Sequence, residues 1–325
     1  MKPKVSVIIP VYNSSRFIAK CCRSLFEQTL DSIQYIFVDD GSDDNCFDII
    51  RESLSGYPHR IHQTTFINLE NNSGVGAARH VGLREAKGEY IIHCDSDDWV
   101  ELDAYQCLYE KAKSEGADIV TCAYSIDSED GVSKIIVPGF PHESKNLSFE
   151  LGPQTGSLVL KMIRRDFIIN NNFQVSEDLL WGEDFCLSLK SLLLSMKTVC
   201  INRPLYHYVQ HFDSLTHTLN MEKCLSLIQC GRLIECFLKD HGLANHYSFQ
   251  LNWLKFQLKQ YLLIFPYTRD INKWKSVYPE CHQNILQYPT TLYLKVSTWL
   301  IVHHLESLAT MILKLRDLLS SIKNT

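Results

Sequence analysis

The stretch Tyr90-Ile91-Ile92-His93-Cys94-Asp95-Ser96-Asp97-Asp98 runs from an apolar segment directly into three carboxylates. A buried strand that ends this way is costly to fold unless a cation is present, because repulsion between the charges raises at least one carboxylate pKa. A divalent metal with oxygen ligands relieves that repulsion. The stretch therefore predicts a strand followed by a metal site for a phosphate-bearing ligand. The alternative is an acidic loop in which Asp97 or Asp98 caps the next helix.

Strands and helices are predicted to alternate along residues 5 to 94, which is typical of a mainly parallel sheet flanked by helices. The predicted strands are Val5–Val11, Gln34–Val38, Thr65–Leu69 and Glu89–Cys94. In such sheets, ligands bind at the carboxyl ends of the strands. Three of the four strands end in polar turns, namely Pro10-Val11-Tyr12-Asn13, Asp39-Asp40-Gly41-Ser42 and the acidic stretch. Because all three turns are expected at the same edge of the sheet, a shared binding site is favoured over three unrelated polar turns.

Beyond Trp99 the patterns are less regular. The predicted elements are a helix over Leu102–Ser114, a strand over Ala117–Cys122, a hairpin turning at Asp130-Gly131, an amphipathic helix over Leu158–Ile169, a helix over Phe185–Met196, a strand over Thr198–Ile201 and a turn at Arg203-Pro204. From Met221 onward, helices follow one another without strands. We therefore expect two domains, residues 1–218 and residues 219–325.

The last helix is predicted to carry a heptad-like apolar seam. Its members are Ile301, Leu305, Leu308, Ile312, Leu315, Leu319 and Ile322. The seam could pack on its own domain or against a second copy in a homodimer. Lys295, Lys314, Arg316 and Lys323, together with Trp299, also allow contact with a membrane surface.

Composition excludes some classes of protein. The net charge of the 325 residues is −5, so no overall basic field attracts nucleic acid. The 12 cysteines show no metal-ligand or paired spacing and are expected to be buried, reduced thiols. Met1-Lys2-Pro3-Lys4 leads directly into a strand, so no signal peptide is predicted. No uncharged apolar run of about 18 residues is present, so no membrane span is predicted. We expect a cytoplasmic protein, with peripheral contact at the inner face of the membrane as an option.

Six motifs together resemble a family 2 glycosyltransferase of the GT-A fold, over about residues 4 to 217. They are Pro10-Val11-Tyr12-Asn13, Val38-Asp39-Asp40-Gly41-Ser42, Gly74-Val75-Gly76-Ala77-Ala78-Arg79, Gly88-Glu89-Tyr90-Ile91, Asp95-Ser96-Asp97-Asp98 and Glu183-Asp184-Phe185. Each motif alone is weak, whereas the ordered set is specific. A dinucleotide-binding fingerprint is not met, because Arg79 stands where a third glycine is required.

The resemblance implies a binding site for a nucleotide-diphospho-sugar, with a UDP-sugar as the first choice. Pro10 and Tyr12 would flank the base, with Asn13 in the same turn. Asp40, or otherwise Asp39, would accept a hydrogen bond from the base, unless both aspartates only stabilise a turn. Arg79 would reach the acidic loop or the nucleotide, unless it is a solvated helix residue.

The resemblance also assigns the acidic loop and the reacting groups. Asp97 would be the direct ligand of Mg²⁺ or Mn²⁺, with Asp95 near the ribose and Asp98 as a co-ligand or support. Asp184 would be the base that deprotonates the acceptor, and Glu183 would bind the acceptor. Two alternatives stay open. The pair could simply favour a helix N-terminus, where the dipole lowers a carboxylate pKa, and Glu177-Asp178 is a rival pair.

Family members often carry arginines where this chain has Val209 and His211. A contact from that loop to the diphosphate is therefore in question, and His207, His211 or His217 could replace it or bind metal. The expected activity is inverting transfer of a single sugar to a saccharide or lipid-linked saccharide in surface polysaccharide biosynthesis. The alternative is a non-catalytic nucleotide-sugar-binding or assembly protein of the same fold.

Overall fold

A computed structural model of the chain describes residues 2–128, 131, 133–137, 147, 149–176, 179–211 and 220–323. The chain divides into two compact units. The first contains Met1–Leu147 and Gly152–His217, and the second contains Ser148–Leu151 and Thr218–Thr325. The sheet belongs to the first unit, and the second unit is helical.

Strands of the first unit form one mixed sheet. They are β1 Val5–Val11, β2 Ile33–Asp39, β3 Thr64–Asn68, β4 Tyr90–His93, β5 Trp99–Val100, β6 Ile119–Ser128, β7 Ser133–Ile136, β8 Lys161–Arg164 and β9 Thr198–Gln210. Their order is β3-β2-β1-β4-β8-β6-β9-β5, and β7 pairs with β6. The four neighbouring strands β3, β2, β1 and β4 are parallel to one another. Strand β8 is antiparallel to both β4 and β6. The α/β fold is confirmed, with an antiparallel part added to the parallel one.

Helices of the first unit cover both faces of the sheet. They are α1 Ile18–Phe26, α2 Cys46–Ser55, α3 Pro58–Ile61, α4 Val75–Glu85, α5 Ala104–Glu115, α6 Pro153–Gly156, α7 Arg165–Asn170 and α8 Glu183–Leu194. Alternate β1 residues such as Val7 and Ile9 join a core with α1, α2 and α5. On the other face α4 lies very close to β1, since a Cβ on Gly82 would come 2.4 Å from Ile8 Cγ2.

The register of the parallel strands brings the polar turns together. All seven residues of β1 are buried, which its apolar sequence predicts. Val11 pairs with Asp39 at the end of β2, and Ile8 pairs with His93 at the end of β4. The turns after β1, β2 and β4 therefore leave the same edge of the sheet.

The helix predicted over Leu158–Ile169 is wrong. This segment instead forms β8, followed by the short helix α7. Lys161, Met162 and Ile163 are buried, because β8 fills the space between β4 and β6 and pairs with both. Such pairing is non-local, so it overrides a helical pattern in the local sequence.

The turn predicted at Arg203-Pro204 is also wrong, since β9 continues through it to Gln210. The register against β6 shifts on both sides of Ala123, which pairs with Pro204. A bulge of this kind lets a strand accommodate a proline. The predicted hairpin is present, because β7 pairs antiparallel with β6. Asp130 of its expected turn lies outside the described residues.

Described segments of the second unit are helical, as the change in sequence pattern predicts. The helices are α9 Met221–Asp240, α10 Ser248–Ile264, α11 Ile271–Ser276, a 3₁₀ helix Pro279–Asn284, α12 Leu292–Val302 and α13 Glu306–Lys323. Buried Lys259 donates to the carbonyls of Trp274 (2.9 Å) and Val277 (2.7 Å) at the end of α11. Burial lowers the pKa of Lys259 to about 8.

The apolar seam predicted for the last helix is interrupted. His303, His304 and Leu305 separate α12 from α13, and His304 has a left-handed φ of 61°. In α13 the buried apolar residues are Ala309 and Leu313, whereas most seam residues are exposed. The exposed apolar side chains of α13 are Leu308, Met311, Leu315, Leu318 and Leu319. The side chain of Ile322 lies outside the described residues.

Two other expectations concern the whole chain. All twelve cysteines are free thiols, and most of them are buried. None of the helices in the described ranges combines the length and the hydropathy that crossing a bilayer requires.

Candidate active site

The acidic loop follows β4 directly and places its three carboxylates differently. Asp98 is buried, and its carboxylate accepts hydrogen bonds from the Tyr206 hydroxyl and from the backbone N–H of Val209 at 2.8 Å, both on β9. Asp95 is a third exposed, and Asp97 is also partly exposed. The predicted helix cap is wrong, since the loop leads into β5 and Asp98 is held by β9.

Burial and crowding raise the pKa values of Asp97 and Asp98. Desolvation, with a smaller contribution from the Asp95 charge, raises the pKa of Asp97 to about 6. Desolvation and the charges of Asp97 and Asp95 raise that of Asp98 well above its ordinary value. Among the described residues, no three His, Cys, Asp or Glu side chains are already arranged as metal ligands. A hard cation would fit the oxygen of Asp97 and would need ligand oxygens to complete its coordination.

Arg79 connects the acidic loop to α8. Its guanidinium is buried, donates to Asp95 Oδ1 at 2.8 Å and forms an ion pair with Glu183. Burial alone would lower the pKa of Arg79, but the carboxylates of Asp95 and Glu183 hold it above its ordinary value. The alternative of a solvated helix arginine is therefore wrong. The Nε of Arg79 is buried and has no hydrogen-bond partner among the described residues.

Glu183 and Asp184 begin α8, as the helix-terminus alternative proposed. Glu183 is buried, whereas Asp184 is partly exposed and accepts a hydrogen bond from Phe185 N at 2.7 Å. Desolvation and the Asp184 charge raise the pKa of Glu183 to about 7. Desolvation also raises the pKa of Asp184, although Arg79 opposes this. Burial thus outweighs the helix dipole, and Asp184 is a stronger base than an exposed carboxylate. The rival pair Glu177-Asp178 lies outside the described residues.

Gly76 sets the distance between α4 and α8. A Cβ at this position would come 2.9 Å from the carbonyl oxygen of Ser176 and 3.3 Å from Glu183 Cγ. Because Gly76 has no side chain, Glu183 can lie against α4 and reach Arg79, which is one turn further along the same helix.

The loop after β2 is organised by its aspartates. Asp40 is buried, and its carboxylate accepts hydrogen bonds from Ser73 N at 2.7 Å and Gly74 N at 2.8 Å, at the start of α4. Desolvation raises the pKa of Asp40, and the two N–H donors partly offset this. Asp39 accepts from Ser42 N at 3.0 Å, which is the turn contact that the alternative predicted. Asp40 thus joins the end of β2 to α4.

The loop after β1 contains the other residues expected to bind the nucleotide. Pro10 is buried in β1, and the Tyr12 side chain is 45% exposed. Asn13 has a left-handed φ of 47°, and its side-chain oxygen accepts from Asp43 N at 2.9 Å. The loops after β1 and β2 are therefore bound to each other, and the Tyr12 ring is open to a ligand.

Comparison with known proteins decides the family. The model of the glycosyl transferase family 2 matches residues 6–170, about half of the chain. The chain belongs to this family. This chain is 29% identical over 283 residues to the putative glycosyltransferase EpsH of Bacillus subtilis. The alignment covers 84% of this chain and 78% of EpsH. The protein is thus an enzyme that transfers sugars.

Solved structures share the fold of the glycosyltransferase. TarS 1–349 of S. aureus in complex with UDP has a TM-score of 0.67 and 17% identity, covering 96% of this chain and 90% of that one. The mannosyltransferase PcManGT of Pyrobaculum calidifontis, in complex with GDP-Man and Mn²⁺, has a TM-score of 0.53 and 13% identity, covering 98% and 88%. The GT-A fold is therefore confirmed.

The three histidines considered as metal ligands differ in their contacts and in their distance from the acidic loop. Both ring nitrogens of His207 contact carboxylates, Asp127 at 3.0 Å and Glu101 at 2.9 Å, and its ring stacks on Trp99. His207 therefore links β9 to its neighbours. His211 is buried, and its charge acts to lower the pKa of Asp97, so it lies near the acidic loop. His217 lies outside the described residues.

Sequence reasoning missed two residues of this site. Tyr206 holds Asp98, and the tyrosines after Pro204 were the signal that could have indicated it. Lys161 is fully buried near Asp184, and its Nζ donates to the carbonyl of Ser157 at 2.8 Å. Burial lowers the pKa of Lys161 to about 7, although the Asp184 charge opposes this. Because a helix was predicted over this segment, the burial of Lys161 near Asp184 was not expected.

Proposed function

We propose that this enzyme transfers a sugar from a nucleotide-diphospho-sugar to a hydroxyl of a saccharide or lipid-linked saccharide, with inversion at the anomeric carbon. A UDP-sugar is the favoured donor, since the TarS structure of the same fold contains UDP. Surface polysaccharide biosynthesis is the process that such a reaction serves. Residues 1–218 would carry the transfer, and residues 219–325 would dock the enzyme.

The observation that carries this proposal is the bridge formed by Arg79. It joins Asp95 of the acidic loop to Glu183, which directly precedes Asp184. The expected donor site and the expected base are therefore parts of one polar network. A purely structural pair of carboxylates at the start of a helix would not require this buried link to a second loop.

Asp184 is the proposed base of the reaction. It takes the proton of the acceptor hydroxyl, and the hydroxyl oxygen forms a bond to the anomeric carbon of the donor sugar. The bond between that carbon and the diphosphate oxygen breaks, and the nucleoside diphosphate leaves with the electron pair. The raised pKa of Asp184 suits this role, because a base is most effective when its pKa is close to the working pH. Glu183 is proposed to orient the acceptor while it is held by Arg79.

Donor binding is proposed for both loops at the sheet edge. The exposed Tyr12 ring offers an apolar face to the base, beside Pro10 and Asn13. Asp40 keeps free lone pairs on both carboxylate oxygens for the base imide. The buried Nε–H of Arg79, which has no partner within the described part of the chain, could donate to a donor oxygen that enters the site. Asp95 and Asp98 complete the proposed donor site near the ribose and the diphosphate.

Asp97 is the proposed ligand of Mg²⁺ or Mn²⁺, with His211 beside it. When bound, the metal supplies positive charge to the leaving diphosphate.

His211→Ala is expected to raise the Mn²⁺ concentration needed for half-maximal activity. His207→Ala is the matched control, and it is expected to weaken the fold while leaving the Mn²⁺ requirement unchanged. Equal Mn²⁺ requirements in the two variants would remove His211 from the site.

Release of nucleoside diphosphate from a panel of nucleotide sugars, with and without Mn²⁺, tests the proposed function. Asp184→Asn should bind donor but lose turnover by at least roughly 100-fold, the usual size of a general-base contribution. Asp31→Asn, at an exposed position, is the matched control. Full turnover by Asp184→Asn would refute the base assignment. Donor binding without any release by the unaltered enzyme would instead favour the non-catalytic alternative. The anomeric configuration of the product tests inversion.

The exposed apolar side of α13 is proposed as a docking face. Its leucines and Met311 lie beside the exposed Lys314, whereas the two acidic side chains of the described part of α13 are ion-paired, Glu306 with Lys275 and Asp317 with Arg269. Apolar residues next to a lysine suit the surface of an anionic membrane. A lipid-linked acceptor lies at such a surface, so we favour the membrane over a second copy of the chain.

A further inference from the structure

A pocket of about 450 Å³ lies in the first unit, between α4, β4 and α7 and outside the proposed active site. Its lining includes Leu83, Arg84, Arg165, Ile169, Asn172 and Gln174. None of the described residues that line it is acidic, although the net charge of the chain is −5. The pocket is therefore locally basic in an acidic protein, which favours an anionic ligand.

The two arginines of this pocket are available to a ligand. Arg84 is exposed and makes no hydrogen bond or ion pair within the described part of the chain. The Nε of Arg165 donates to the carbonyl of Ala86 at 2.8 Å, which fixes the guanidinium and leaves its terminal nitrogens for other contacts. Two guanidinium groups bind phosphate strongly, because each can donate two parallel hydrogen bonds.

The remaining lining residues suit a sugar. Ile169 is 53% exposed, and Leu83 is partly exposed on the facing helix, so the pocket has an aliphatic wall. Asn172 and Gln174 are exposed amides that can both donate and accept hydrogen bonds with hydroxyl groups. An aliphatic wall, two amides and two guanidiniums together match a phosphorylated sugar.

The pocket and the active site share α4. His80, which lines the pocket, lies one turn beyond Gly76, where α4 meets Glu183 and Ser176. The segment from Asn172 to Ser176 runs from the pocket to the same contact. Along β4, Ile91 of the pocket precedes Asp95 by four residues, a distance of about 13 Å in a strand. A ligand that reaches both sites is longer than one sugar.

We propose that this pocket binds a phosphorylated sugar unit of the acceptor, at a distance from the hydroxyl that is glycosylated. The inference rests on the proposed transfer function, since an acceptor has to occupy the active site. It names the class of acceptor as a saccharide that carries phosphate.

Titration with glucose 1-phosphate, monitored by ³¹P NMR both without other ligands and with saturating UDP and the diamagnetic ion Mg²⁺, tests this inference. We expect glucose 1-phosphate to bind in both conditions, and more tightly than inorganic phosphate or glucose. Arg84→Gln should weaken this binding roughly tenfold, the effect of one charged hydrogen-bond partner. Lys87→Gln is the matched control, since Lys87 is also exposed near the end of α4 but does not line the pocket.

Three results would overturn the inference. Competition between glucose 1-phosphate and UDP would place the sugar phosphate in the donor site. Inorganic phosphate that binds as tightly as glucose 1-phosphate would make the pocket a site for free phosphate. Equal binding by Arg84→Gln and Lys87→Gln would exclude the pocket. UDP binding and release of nucleoside diphosphate are measured on the same protein, so a failure of the proposed function is recognised separately.

Discussion

Arg79 is the residue whose replacement should have the widest effect. Arg79→Gln leaves Glu183 buried without its ion pair, so the free energy of unfolding should fall by roughly 3 kcal/mol. Arg79→Lys keeps the charge but not the two-armed contact, and misplacement of Asp184 should lower turnover roughly 100-fold. Denaturant unfolding and nucleoside diphosphate release measure the two effects. Arg51→Gln, in an exposed ion pair, should change stability by no more than roughly 0.5 kcal/mol. Normal turnover in Arg79→Lys would contradict the bridging role.

The pH dependence of turnover should reflect Asp184. Its pKa is raised, and a protonated carboxyl cannot accept the acceptor's proton, so activity is lost as the pH falls through this raised value. The charge of Lys161 opposes the shift. Lys161→Met should therefore raise the pKa of Asp184 further and move the acid limb of kcat/KM to higher pH. An acid limb that stays in place, in a variant that folds, would mean that Lys161 does not act on the base.

At the level of elements, α4 is positioned by its glycines. Gly76→Ala would place a Cβ 2.9 Å from the Ser176 carbonyl, so we expect a loss of roughly 1–3 kcal/mol in stability and a larger loss of turnover as Glu183 moves. Gly116→Ala is the control, since its Cβ meets nothing within 4 Å and only its left-handed φ of 61° opposes the change. Thermal unfolding and turnover report the two effects. Turnover that falls equally in both variants would argue against a specific contact at Gly76.

The sequence was sufficient for the parallel strands and their polar turns, because buried apolar runs and the turns that follow them are local patterns. It was insufficient for β8, whose burial depends on two strands far away in the chain. The tyrosines after Pro204 were visible in the sequence, but their contact with Asp98 was not, since 108 residues separate Asp98 from Tyr206. Local patterns thus located the acidic loop, while long-range pairing determines which of its carboxylates stays open to a ligand.

At the level of the whole molecule, the exposed side of α13 predicts how the enzyme docks. Leu308→Ser combined with Leu315→Ser should abolish flotation with anionic vesicles and leave the unfolding temperature nearly unchanged, because both side chains are about half exposed. Leu313→Ala, at a buried position of the same helix, should instead cost roughly 2–5 kcal/mol in stability. Flotation that survives the double substitution would contradict the membrane assignment. A change from dimer to monomer in sedimentation would identify a second copy as the partner.

The Arg79 bridge also has a consequence for the order of events. Asp95 and Glu183 share one guanidinium, so a ligand that binds Asp95 should alter the ion pair between Arg79 and Glu183. Two sites linked in this way influence each other reciprocally, since each ligand alters the affinity for the other by the same factor. Occupation of the donor side should therefore tune affinity on the acceptor side. We expect bound UDP to change the affinity for the acceptor, and bound acceptor to change the affinity for UDP by the same factor.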